Sequence, residues 1–208
     1  MLRLTKNKVR SQRWGLSPTK IYGGSFFDGP GCAEGASKAA EVVRVLKEVF
    51  SPKKVFDVGC GSGFYLKEFA TRGVLAVGCE GSDTGVSLCP PDAIVFQHDL
   101  RLPLKCNQTF DLVLCIEVAE HLPSRFSEVL VKSIANCASH HVIFTASPPG
   151  SAGDDHINCR EPEFWESLFN KYGFLVNKEL SWILRQRFQE IGAASWLQLH
   201  LAVYDKKQ

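Results

Sequence analysis

The segment Asp57-Val58-Gly59-Cys60-Gly61-Ser62-Gly63, directly after the apolar run Lys54-Val55-Phe56, restricts this chain more than any other. A short strand that ends in an acid and breaks into alternating glycines lets backbone approach a nucleotide-like ligand at the carboxyl edge of a parallel sheet. Glycine is required because the turn needs positive φ and leaves no room for a Cβ. The loop lacks G-x-x-x-x-G-K-[ST], so no lysine waits for a γ-phosphate. It also lacks G-x-G-x-x-G, because Gly63 follows Gly61 by only two residues. Asp57 would repel a pyrophosphate and suits a ligand with a positive amino group.

The rest of the chain reads as alternating strands and helices. The residue pattern predicts strands at 54–58, 74–79, 94–97, 110–115, 141–146, 174–180 and 196–204. It predicts helices at 37–50, 63–71, 84–89, 124–138, 161–171 and 182–190. Such alternation implies right-handed crossovers and a mostly parallel sheet. A chain of 208 residues with 45% apolar residues suits one α/β domain. A net charge of +2 predicts no general attraction to polyanions. No apolar run is long enough to span a bilayer, and no secretory signal is evident. Eight cysteines without a C-x-x-C pair read as thiols in a reducing, cytoplasmic setting. Cys60, Cys79 and Cys115 read as apolar fillers.

Further landmarks follow the glycine loop in order. Glu80 closes the second apolar run, Asp99 and Leu100 follow the third, and Phe110-Asp111-Leu112-Val113-Leu114-Cys115-Ile116 forms a fourth. Together they resemble the class I S-adenosylmethionine-dependent methyltransferases, over about Gly35 to Lys206. The resemblance implies a Rossmann-like, seven-stranded sheet, mostly parallel with the last strand antiparallel and helices on both faces. It implies that S-adenosylmethionine rests on Asp57, Gly59, Gly61 and Gly63. Glu80 would take the ribose hydroxyls, and Asp99 and Leu100 the adenine. Cys115 and Ile116 would lie next to the reaction centre.

Glu117-Val118-Ala119-Glu120-His121 sits at the carboxyl end of the fourth strand. The i, i+3, i+4 spacing would place three polar side chains on one face of a helical turn. Two carboxylates that close repel each other unless a cation or a proton joins them. This E-x-x-E-H pattern is similar to the metal motif of small-RNA 3′-terminal 2′-O-methyltransferases and of ubiquinone-pathway O-methyltransferases. The resemblance implies Mg2+ or Mn2+ on Glu117, Glu120 and His121, completed by His156. A metal-free site, with His121 or His156 as base, and a purely structural role both stay open.

Residues 1–34 read as a basic tail and a lid, with Arg3, Lys6, Lys8, Arg10, Arg13 and Lys20 preceding the first acid. Residues 35–208 read as one catalytic domain. Trp165 and Phe169 read as core, Trp182, Arg185 and Arg187 as a surface helix, His98 as a pocket wall, and His200 as an exposed strand residue. The leading expectation is methyl transfer to a hydroxyl of a sugar or glycan. The alternatives are 2′-O-methylation of an RNA 3′ end and methylation of a phenol or catechol, for which Phe26, Phe27 and Trp165 would form a flat slot.

Overall fold

A computed structural model describes residues 16–151, 153 and 155–207. Arg3, Lys6, Lys8, Arg10 and Arg13 lie outside the described residues.

The strands are β1 Lys54–Val58, β2 Leu75–Glu80, β3 Ile94–Gln97, β4 Phe110–Ile116, β5 Ala138–Thr145, β6 Phe174–Val176 and β7 Ala202–Lys206. They form one sheet in the order β3-β2-β1-β4-β5-β7-β6. The first five run parallel, while β7 lies antiparallel between β5 and β6. The strand order reverses between β1 and β4, so their carboxyl ends open a crevice there.

Side chains leave the sheet alternately, and each face carries its own core. Along β4, Val113 and Cys115 enter one core while Leu112 and Leu114 enter the other. The first core is covered by α7 (Ser127–Cys137) and α8 (Pro162–Lys171), through Leu130, Ile134, Trp165 and Phe169. The second lies under α4 (Ala39–Phe50), α5 (Phe64–Ala70) and α9 (Lys178–Glu190), through Leu46, Leu66, Phe69 and Phe188. Trp165 and Phe169 are therefore core, and Trp165 cannot belong to an acceptor slot. Trp182 is exposed, as a surface helix requires.

Several boundaries depart from the pattern. The strand expected at 174–180 stops at Val176, because the Asn177 side chain accepts from Leu180 N at 2.9 Å and starts α9. The strand expected at 196–204 is instead α10 (Ser195–Leu199) followed by β7. The alternation there is genuine in sequence, but Leu197 N donates back to Ala194 O at 3.0 Å and closes a helical turn. The expected helix at 124–138 splits into a 3-10 turn, Ser124–Phe126, and α7.

Cys106 and Cys137 are joined by a disulfide. The reading of an all-thiol chain does not hold for this pair. The fold brings together two cysteines 31 positions apart in sequence, which spacing alone does not reveal. Cys60, Cys79 and Cys115 are free and buried. No helix among the described residues is long and apolar enough to cross a membrane.

Before β1, three short helices cross the carboxyl edge of the sheet: α1 Pro18–Ile21, α2 Gly24–Phe27 and α3 Pro30–Ser37. The segment is anchored at both ends of the crevice. Ser82 Oγ donates to Tyr22 O at 2.7 Å, and Tyr22 Oη donates to His121 O at 3.4 Å.

Candidate active site

The crevice is a cleft of about 820 Å³ lined by the carboxyl ends of β1, β2 and β4, the early helices and α10. Gly59 has φ 77°, and a Cβ there would lie 2.6 Å from the Val118 side chain. Gly61 has φ 56° and turns its face toward Phe27. Both glycines line the cleft. Gly63 does not; it caps α5 with φ 73° and faces Cys89 and Pro90.

Two acids fix the near end of the cleft. Asp57 is buried, and burial first, then the Glu80 charge, push its carboxyl up to about 7. Glu80 accepts Gly61 N at 3.1 Å and Ser82 N at 2.9 Å. Burial still holds it above the ordinary carboxylate value. A buried carboxyl of this kind is suited to meet a cationic group, and a backbone-held one to accept from a diol.

Asp99 and Leu100 line the cleft, but Asp99 is engaged by Arg101, with Nε at 2.9 Å and Nη2 at 2.6 Å. Although burial opposes it, these bonds hold Asp99 below its usual value. His98 is not a pocket wall; its Nε2 sits 3.2 Å from Leu102 O, on the surface. Ile116 lines the cleft, whereas Cys115 is fully buried in the core behind it.

The polar group after β4 is not a helical face. Glu117 adopts φ 54°, and a single 3-10 turn, Ala119–His121, follows. Glu117 N donates to Thr145 Oγ1 at 2.9 Å, which ties this strained residue to β5. The reversal swings Glu120 inward until it is fully buried. Ser147 N then donates to Glu120 Oε1 at 3.2 Å. Burial and the adjoining Glu117 carboxylate hold the Glu120 carboxyl well above its usual range. The two carboxyls meet each other, as close acids must when a proton or a cation joins them. No donor among the described residues reaches Glu117 Oε1 or Glu120 Oε2.

His156 arrives by a second set of bonds. Ile157 N and Asn158 N both donate to Glu120 O, at 2.9 and 3.0 Å. The buried Asn158 side chain donates to Ala119 O at 3.2 Å and Ser127 Oγ at 2.9 Å. This clamp sets the His156 and His121 rings 4.9 Å apart. Ligand atoms of Glu120, His121 and His156 all fall within 4.8 Å of one another. Glu117 abuts this trio through Glu120 without belonging to it. Burial, then His156, push His121 down to about 3, so its imidazole is neutral. A neutral ring is a competent metal ligand and a weak proton acceptor. A buried carboxyl oxygen and two half-buried imidazoles this close fit a small divalent cation.

Of the further residues here, Phe26 and His200 are singled out by the sequence in other settings, whereas Tyr22, Trp196 and Tyr65 carry no site signal of their own. Tyr22 and Phe26 pack edge-on against His121, with centroids at 5.9 and 5.8 Å. Trp196 lines the cleft from α10 and His200 from the cap that ends it, so His200 is not an exposed strand residue. Tyr65 lines it from α5, within what reads as an apolar helix face.

A sequence model of the methyltransferase-domain family matches residues 34–188. Ubiquinone biosynthesis O-methyltransferase of Coxiella burnetii is 31% identical over 94 residues, 42% of this chain and 38% of that protein. The match thus spans about two-fifths of this curated relative. Among solved structures, the S-adenosylmethionine-bound amino pentose methyltransferase of Micromonospora echinaspora superposes with a TM-score of 0.65 at 16% identity, covering 83% of this chain and 91% of that one. A sugar N-methyltransferase from Streptoalloteichus gives 0.65 at 16% identity, with 93% and 94% coverage. At these identities the structural likeness concerns the fold.

Proposed function

The chain belongs to the class I S-adenosylmethionine-dependent methyltransferases, and from that premise we propose that it methylates a hydroxyl of a sugar or similar polyol with the help of a divalent cation. The observation that carries this reading is the convergence of buried Glu120 with half-buried His121 and His156 beside the cofactor cleft.

When bound, S-adenosylmethionine supplies an electrophilic methyl on sulfur. A divalent cation at Glu120, His121 and His156 would supply Lewis acidity that makes an alcohol a better nucleophile at neutral pH. The remaining work falls to the chain. Asp57 holds the cationic amino group, Gly59 and Gly61 admit the backbone of the loop to the ligand, and Glu80 accepts from the ribose. Asp99 and Leu100 flank the adenine, with Arg101 fixing the Asp99 carboxylate. Ser147 and Asn158 lock Glu120 and the His156 loop, which orients the acceptor. With both histidines held as ligands, Glu117, which lines the cleft beside them without belonging to the trio, takes the hydroxyl proton. Tyr22, Phe26 and the rest of the 18–34 segment act as a lid that keeps water from the methyl.

Two adjacent hydroxyls would fit such a site best, and the sugar methyltransferases of the same fold support a sugar. A catechol is the second reading. It is favoured by the aromatic wall of Tyr22 and Phe26 against His121 and by the ubiquinone-pathway relatives. Labelled methyl transfer to simple sugars, nucleotide sugars, catechols and short RNAs tests the acceptor. Transfer to diol-bearing sugars and not to their deoxy analogues is expected. Transfer confined to catechols would install the second reading, and transfer confined to RNA 3′ ends would overturn both.

A further inference from the structure

Tyr65 stands in the first turn of α5, immediately after the glycine loop, with only 4% of its surface exposed. Its ring packs edge-on against Phe64 at 4.5 Å and among the apolar residues under α4 and α10. Its hydroxyl is buried, and no hydrogen-bond partner reaches it among the described residues. Buried tyrosine hydroxyls ordinarily find a partner, and an orphaned one opposes folding. Yet the residue lines the cofactor cleft, between the reach of Asp57 at one end and Glu117 at the other. Neither carboxyl is within hydrogen-bonding distance of it.

The charges of the cleft narrow what this hydroxyl can serve. The amino-acid end of S-adenosylmethionine carries an ammonium and a carboxylate on one carbon. Asp57 matches the ammonium. The carboxylate needs a donor, but the only guanidinium or ammonium among the lining residues is Arg101, already committed to Asp99. Tyr65 places an unused O–H near Asp57, on the same wall. Burial keeps that phenol protonated far above neutral pH, so it is available as a donor.

We propose that the Tyr65 hydroxyl donates a hydrogen bond to the carboxylate of S-adenosylmethionine, acting as a positioning residue for the methyl donor. A donor in place of a cation suits a site with acids at both ends. It recognises the carboxylate without neutralising Asp57, on which the ammonium depends.

The test compares wild type, Tyr65→Phe and Asp57→Asn by calorimetric titration with S-adenosylmethionine and with its decarboxylated analogue, alongside thermal melts without ligand. Tyr65→Phe should weaken S-adenosylmethionine about 10-fold, or about 1.4 kcal/mol. It should leave the decarboxylated ligand unchanged. Asp57→Asn should weaken both ligands, since both keep the ammonium. The ligand-free Tyr65→Phe protein should melt no lower than wild type, because it loses an orphaned polar group. Equal weakening of both ligands, no weakening of either, or a lowered melting temperature would each overturn the assignment. Failure of the wild type to bind either ligand would instead refute the cofactor reading itself.

Discussion

Asp57→Asn should make the empty protein more stable and the loaded one harder to form. Asp57 lies at the end of β1, 3% exposed, with its carboxyl pushed up to about 7 by burial and then by Glu80. In the unfolded chain an aspartate titrates near 3.9. The folded state therefore favours the protonated form. Its advantage is whole below pH 4, declines as pH rises toward 7, and leaves a constant deficit above that. A gap this wide corresponds to about 2 to 4 kcal/mol of lost stability at pH 8. Asparagine keeps the shape and never ionises, so it recovers that deficit. For a domain of this size the gain at pH 8 is at least about 4 °C in melting temperature. At pH 4.5 the gap between the two proteins should shrink to about 1 kcal/mol or less. Against this, the loss of charge pairing with the ligand's ammonium should weaken S-adenosylhomocysteine roughly 30-fold or more. Melts from pH 4.5 to 8.5, with calorimetric titration at pH 8, read both quantities. The reasoning fails if Asp57→Asn melts at or below wild type at pH 8, or if the ligand binds it equally well.

Other substitutions address the remaining parts. Gly59→Ala adds a Cβ 2.6 Å from Val118 at φ 77°; urea unfolding should show a loss of about 1–3 kcal/mol, and a neutral result would discount the close approach. His121→Ala and Glu120→Gln should each lower turnover about 100-fold while S-adenosylhomocysteine affinity, measured by titration, changes less than about twofold; full activity in either variant would remove that residue from the chemistry. Asn158→Ala breaks the clamp between the Ala119 turn and the His156 loop; it should lower kcat by about 10-fold or more with the cofactor affinity retained, and loss of both together would point to a folding role instead.

The legible part of this molecule is the part its backbone dictates. The glycine loop and the acids ending β1 and β2 announced the sheet and its crevice, because glycine serves best at φ 77° with the Val118 side chain 2.6 Å from where a Cβ would stand. What stayed hidden depends on contacts between distant segments. The alternation at Trp196-Leu197-Gln198-Leu199-His200 mimics a strand, and only packing against α9 decides for a helical turn. Glu117, Glu120 and His121 look like one helix face, yet the positive φ at Glu117 and the 3-10 turn after it bring Glu120 to His121 and leave Glu117 beside them. Tyr65 was masked by the apolar periodicity around it, and the Cys106–Cys137 pair by their separation in sequence.

The most direct measurement is Mn2+ binding followed by electron paramagnetic resonance, on protein saturated with S-adenosylhomocysteine. The account predicts one site in the wild type that is lost in both Glu120→Ala and His156→Ala and displaced by Mg2+. No bound Mn2+ in the wild type, or binding that survives both substitutions, would contradict it.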